Sequence, residues 1–163
     1  MFTIVMAILV VMLDQLTKSL VLTRLCTVER SVAIIPGLFQ IRYVHNTGAA
    51  WGILRGTNDW LVLLSLILLT FLIIYWKRLV EESVLCRISA GIILGGIIGN
   101  LIDRIKYGYV VDFLDFHIRS HHFPAFNIAD TAICVGVGLY IFHYAMMEKK
   151  NASLSTNKSS AEK

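Results

Sequence analysis

"WLVLLSLILLTFLIIYW", residues 60 to 76, runs for seventeen residues without a charge, has tryptophan at both ends, and stops at Lys77 and Arg78. A helix that crosses the hydrocarbon core needs ~20 predominantly apolar residues, with about 17 to 25 tolerated. Aromatic residues collect at the two interfaces of such helices. The stretch is therefore a membrane span, and three further segments follow its pattern. Residues 3–22 qualify if Asp14 and Lys18 are tolerated near one end. Residues 84–103 carry Arg87 early and close on Asp103 and Arg104. Residues 126–147 contain only Asn127, Asp130 and His143 as strongly polar groups.

Composition agrees. Of the 163 residues, 56% are hydrophobic and 16% charged, where a soluble domain carries about 25% charged residues. The mean hydropathy is +0.70. The expected fold is an all-α membrane protein with four transmembrane helices in a single domain, residues 1–147. Residues 148–163 are expected to be a polar, disordered cytoplasmic tail. The net charge of +4 is dispersed, with no basic cluster interleaved with aromatics, which excludes nucleic acid as a partner. Cys26, Cys86 and Cys134 lie far apart without a CxxC, so they indicate neither a disulfide framework nor a zinc site. The first segment has no basic n-region and no small-x-small cleavage site, and is expected to stay in place as a membrane helix.

Four spans put both termini on one face. Loop 77–87 shares that face, and its density of Lys77, Arg78 and Arg87 marks it as cytoplasmic. Segments 23–59 and 104–125 then lie outside. Alternating helix direction brings the polar ends of spans one, three and four to that outer face. All six aspartates (Asp14, Asp59, Asp103, Asp112, Asp115 and Asp130) converge there. Intramembrane carboxylates are costly and mark either ion pairs or function.

Each local feature has a structural and a functional reading. Asp14 and Lys18 are spaced i, i+4, so a structural ion pair comes first. Asn100, Asp103 and Arg104 share a helix face and fit scaffold or site equally. Gly91, Gly95 and Gly99 make a small-residue ridge for close helix packing. Asn127 can cap the fourth helix with Asp130 as its third-position acid, yet capping leaves Asp112 unexplained. His117 and His121 are also spaced i, i+4, but without HExxH they belong to an interfacial loop. No metal and no cofactor are expected. Cys134 is expected in the core. Asn46 to Gly52 (NTGAAWG) is a small-residue turn, with Gly48 and Gly52 allowing close backbone approach.

Five blocks in order, Asp14-Gln-Leu-Thr-Lys18, Asn46 to Gly52, Gly99-Asn-Leu-Ile-Asp-Arg104, Val110-Val-Asp-Phe-Leu-Asp-Phe116 and Pro124 to Asp130, resemble the lipoprotein signal peptidases (signal peptidase II), bacterial membrane aspartyl proteases. The resemblance covers nearly the whole chain, from about residue 4 to 147. It implies a small extracytoplasmic β-rich element, built largely between helices one and two, and a periplasmic loop/helix segment. It implies Asp112 and Asp130 as the catalytic pair. Asn46, Gly48, Asn100, Arg104 and Asn127 would line the site, with Asp14, Lys18, Asp103 and Asp115 supporting it. It also implies substrates, the diacylglyceryl-modified prolipoproteins, cleaved just before the lipidated cysteine. The setting would be a monomer among membrane lipids, multi-pass in the bacterial inner membrane, with its site near the outer leaflet.

The residues support that chemistry independently. Amide hydrolysis needs a base for water and an acid for the departing nitrogen. Two carboxylates in one site supply both, because repulsion and desolvation raise one proton affinity. The competing reading is a small ion- or proton-coupled transporter or an assembly factor. The acids gather at one face and form no chain across the bilayer, which disfavours a transport path.

Overall fold

The computed structural model of the protein describes residues 1–26, 31–48, 53–80 and 83–161, with side chains described to residue 151. In chain order the elements are α1 (Phe2–Leu25), β1 (Ser31–Ile35), β2 (Phe39–Asn46), α2 (Asn58–Ile74), α3 (Trp76–Val80), α4 (Val84–Tyr107), β3 (Val110–Ile118), β4 (His121–His122) and α5 (Ile128–Ala161). Among the described residues, three helical stretches are long and apolar enough to cross a membrane: α1, α4 and Ile128–Asn151 of α5. The segment that looked clearest in the sequence is the short one. Helix α2 has 17 residues, or about 25 Å at ~1.5 Å per residue. Loop 77–87 takes in all of α3 but its first residue and the start of α4, and its residues 81–82 lie outside the described residues.

Helix α4 is the central one, with α1 and α5 packed against it and α2 more lightly. Its ends are well defined. The Ser83 side chain accepts from the Cys86 N–H at the start, and Gly108 closes the other end at φ 78°. The glycine ridge packs as its spacing foretold. A Cβ at Gly95 would sit 2.7 Å from Val10 Cβ and 2.8 Å from the Ala7 carbonyl on α1. Gly96 lies against Ala129 and Ile133 of α5, and Gly99 lies against the Asp14 carboxylate. Leu9, Leu13, Leu16, Leu20, Ile67, Ile73, Ile141 and Phe142 point outward and are exposed, while Asp14, Lys18 and Asp103 are buried within. The exterior is oily and the interior holds the charge, the arrangement that lipid as solvent favours.

The extramembrane part departs from an all-α fold. A four-stranded antiparallel sheet runs in the order β1-β2-β3-β4. Strands β1 and β2 come from the segment between the first two helices, as expected. Residues 110–122, expected as loop or helix, form β3 and β4 instead. The reason is local: VVDFLDFHI is rich in β-branched and aromatic residues. It lies beside β2, which offers an edge. Val21 and Leu25 of α1 form a core cluster with Val111 and Phe113, seating the sheet on the end of α1. The stretch before α5 pairs with β3 through Leu114 and Phe126, whose N–H groups and carbonyls bond reciprocally at 2.8 and 3.1 Å. That pairing draws the start of α5 beside Asp112.

The tail expected to be disordered continues α5 as helix through Ala161. Glu148, Lys149 and Lys150 are exposed and are good helix formers, so a solvated stretch can extend the helix.

Gly95→Ile should overpack the α1–α4 seam and cost about 1–3 kcal/mol, read as a lower thermal midpoint in detergent. Gly138→Ala should not, because a Cβ there meets nothing within 4 Å.

Candidate active site

The site rests on a buried cation. Lys18 Nζ lies 2.8 Å from Asp14 Oδ2 and 3.0 Å from Asp103 Oδ2, and donates to Asn100 Oδ1 at 3.0 Å. Each carboxylate has further work. Asp14 Oδ1 accepts the Ala129 N–H of α5 at 2.9 Å. Asp103 Oδ2 accepts the Val111 N–H of β3 at 3.1 Å. One network thus ties α1, α4, α5 and the sheet together. Gln15 completes it, donating to Asp103 Oδ1 at 2.9 Å and to the Gly99 carbonyl at 3.1 Å. The pairing expected of Asp14 and Lys18 is present, with Asp103 as a second partner.

Above this base lie the two carboxylates. Asn100 Oδ1 accepts from both Lys18 and Asn127 Nδ2, which turns its own Nδ2 toward Asp130 Oδ1 at 2.7 Å. Asn127 makes the capping box anticipated for it. Its Oδ1 accepts the Asp130 N–H at 3.0 Å, and Asp130 Oδ2 accepts the Asn127 N–H at 3.2 Å. The same Asn127 Nδ2 also donates to Asp112 Oδ1 at 2.7 Å. Capping and site are one structure, not alternatives.

Asp112 sits on a strand and not in a loop. A bulge between Ile41 and Val44 sets Val44 opposite Asp112 and Asn46 opposite Val110. Residues two apart share a face, so Asn46 reaches diagonally and donates to Asp112 Oδ2 at 2.7 Å. Asn46 Oδ1 in turn accepts the Gly48 N–H at 2.9 Å. A Cβ at Gly48 would lie 2.7 Å from the Ile53 carbonyl, so this turn requires glycine. Residues 49–52 of the same motif lie outside the described residues.

Burial pushes the Asp112 carboxyl up to about 7, and the neighbouring Asp130 charge adds to it, against the Asn46 and Asn127 donors. A carboxyl with that proton affinity, beside a second one, can hold a proton near neutrality while its partner is ionised.

A cavity of about 490 Å³ opens over the pair, lined by Asn46, Gly48, Asn100, Arg104, Asp112 and Asp130, with Phe123 to Phe126 on one wall. Asn127 is fully buried beneath. The rest of the aspartates divide. Asp14 and Asp103 belong to the base. Asp59 is exposed in the first turn of α2. Asp115, fully buried, ties β3 to β2 through Gln40 Nε2 at 2.7 Å and Arg42 Nε at 3.0 Å. Burial alone would raise its proton affinity, but the His122, Gln40 and Arg42 partners hold it below the ordinary carboxylate range. Cys134, expected in the core, is exposed and lines the cavity. Gln15, Gln40 and Arg42 had been given no role; a glutamine inside an apolar helix was the one visible signal for Gln15.

The family described as "Signal peptidase (SPase) II" matches residues 6–146. The chain belongs to the signal peptidase II family. It is 42% identical over 153 residues to a lipoprotein signal peptidase of Symbiobacterium thermophilum, covering 94% of this chain and all of that one. It is 43% identical over 141 residues to one of Syntrophotalea carbinolica, covering 85% and 87%. A bacterial membrane enzyme solved by the in meso method at 2.3 Å superposes with a TM-score of 0.80 at 34% identity, covering 91% of this chain and 88% of that one. The transporter reading receives no support from a signal peptidase II membership.

Removing the central cation of this signal peptidase II site should leave Asp14 and Asp103 buried and uncompensated. Lys18→Met is expected to cost about 3–5 kcal/mol of stability. In Lys18→Met/Asp103→Asn the loss should be smaller than the sum of the single effects, measured as thermal midpoints in one detergent.

Proposed function

We propose that this signal peptidase II is a membrane-embedded aspartic endopeptidase that removes signal peptides from diacylglyceryl-modified prolipoproteins, with Asp112 and Asp130 as its catalytic pair. The observation that carries the reading is the Asn127 amide and backbone N–H, which bond to the two acids at one cavity. One carboxylate takes a proton from water as the water attacks the scissile carbonyl. The other, protonated, polarises that carbonyl and then delivers its proton to the leaving nitrogen. Apparent titrations belong to the pair and not to either acid. Asn46, Asn100 and Asn127 hold the acids, and Gly48 and Arg104 face the substrate.

The chain is further taken to be a monomer with four spans, α2 being the short one carried on by α3. Both termini face the cytoplasm, and the cavity opens near the outer leaflet of the inner membrane. Two features support this placement: the basic residues at 77, 78 and 87, and the common level of the acids at the sheet end of the bundle. A lipid-anchored peptide holds its scissile bond at that level. The bundle is taken as a single domain, residues 1–147.

Three outcomes test the reading. Asp112→Asn and Asp130→Asn each keep the planar shape of the carboxyl group but lose its titratable proton, so each should lower turnover by about 10²–10⁴-fold or more in protein that remains folded. Near-normal cleavage by either variant refutes the pair. The second test is pH. Burial and the Asp130 charge push the Asp112 carboxyl up to about 7, so the pair gives up the proton it shares above neutrality; on the acid side the pair takes up a second proton and loses its base. The kcat/KM profile should therefore be bell-shaped, with its alkaline limb near neutrality, and a flat profile through pH 9 contradicts this. The third concerns the lipid. Moving acyl chains from bilayer to protein gains little, so the anchor acts chiefly by fixing depth and orientation, a proximity effect. Matched lipidated and unlipidated precursors in one bilayer should differ by orders of magnitude in cleavage rate, and equal rates mean the lipid is not read.

A further inference from the structure

Strands β3 and β4 pair with His117 opposite His122 and Ile118 opposite His121. Cross-strand partners share a face, as do residues two apart on one strand. Asp115, His117 and His122 therefore project from the same face of the hairpin, and His121 from the other. A helical i, i+4 pairing of His117 with His121 is replaced by this trio. We propose that Asp115, His117 and His122 form a binding site for a divalent transition-metal ion of the zinc class, which clasps the β3–β4 hairpin outside the catalytic cavity.

Four observations carry it. Among the described residues, these three offer ligand atoms that all lie within 4.8 Å of one another. His117 Nδ1 is buried without a hydrogen-bond partner, and a buried polar atom left unpaired costs free energy that a ligand bond would recover. His122 Nδ1 lies 2.9 Å from Asp115 Oδ1, and its ring stacks on His117 with centroids 4.9 Å apart. Finally, Asp115 Oδ2 is already held by Gln40 and Arg42 at 2.7 and 3.0 Å. Such outer partners orient a ligating carboxylate, here with both oxygens within 3.0 Å of His122 Nδ1 and Oδ1 free of the Gln40 and Arg42 contacts.

Two imidazoles and one carboxylate suit zinc and its neighbours, whereas magnesium and calcium prefer all-oxygen sites. Zinc–ligand bonds of about 2.1 Å put tetrahedral ligands about 3.4 Å apart. The separations here run from 2.9 Å to no more than 4.8 Å, so the longer of them must shorten on metal binding. Metal entry displaces the proton between His122 and Asp115, and water fills the fourth position. The Arg42 charge opposes a cation, which leaves the two imidazoles as the main source of affinity. The clasp has a consequence for the cavity, because β4 runs directly into Phe123 to Phe126, its wall.

The test uses tag-free full-length protein in detergent, stripped with chelator and titrated with Zn²⁺. One equivalent should bind and raise the thermal midpoint. His117→Phe keeps a stacked, strand-forming ring but removes both nitrogens; it should lose the bound equivalent and the thermal shift. His121→Phe should retain both. An intact thermal transition in stripped His117→Phe separates lost binding from lost folding. X-ray absorption of the zinc-loaded wild type should show two imidazole ligands, whatever the variants do. The proposal is overturned if the wild type binds no equivalent, if binding survives His117→Phe, if His121→Phe loses it, or if the zinc shell lacks imidazole.

Discussion

Everything in this protein depends on one ammonium group inside the bundle. Lys18 is 2% exposed and lies between Asp14 and Asp103. A lone buried charge in lipid would be costly; a paired and hydrogen-bonded one can be held, and this one is also used. Each anion that neutralises Lys18 also accepts a backbone N–H of another element, Asp14 from Ala129 on α5 and Asp103 from Val111 on β3. In helix assemblies where the surrounding lipid is as apolar as leucine, burial gives little drive to hold helices in register. A directional ionic network supplies the register that oil cannot.

That network reaches the acids through amides. Lys18 fixes which way Asn100 points, and with Asn127 it presents an N–H donor to Asp130 and another to Asp112. Side-chain amides suit this task because they carry both a donor and an acceptor and have no charge to add to an already acidic site. The two carboxylates also come from elements of different kinds. Asp112 stands on a strand locked between β2 and the Phe126 bridge. Asp130 stands in the first turn of a helix. Unlike surroundings are what push two like groups toward different protonation states.

Much of this was legible in sequence because the membrane imposes a strict code. Apolar length gave the helices, glycine spacing gave the α1–α4 seam, and alternation of direction brought Asp14, Asp103, Asp112 and Asp130 to one face. Asn127 and Asp130 showed their capping box through spacing alone. What stayed hidden was non-local. The strand identity of 110–122 follows from an edge offered by β2, seventy residues away, and the bulge between Ile41 and Val44 that aims Asn46 at Asp112 has no signature of its own. Asp115 looked like a neighbour of Asp112 in the same motif, but strand geometry turns it to Gln40 and Arg42. Cys134 looked like core because nothing local distinguishes a helix face that packs from one that lines a cavity.

The form of the site depends on how non-helical backbone can meet lipid. Backbone that is not helical must have its N–H and C=O groups paired if it approaches lipid. The sheet satisfies this through β1 to β4 and the Phe126 pairing, and so can sit directly on the end of α1. A loop in the same place would leave polar backbone unmet at the interface. The sheet thus lets a rigid strand carry Asp112 down to the level where α5 begins, with Asp130 in its first turn. A helix alone would hold both acids within one element and one environment. Strand and helix start together give a pair that is rigid and asymmetric, with burial enough to keep a proton near neutral pH.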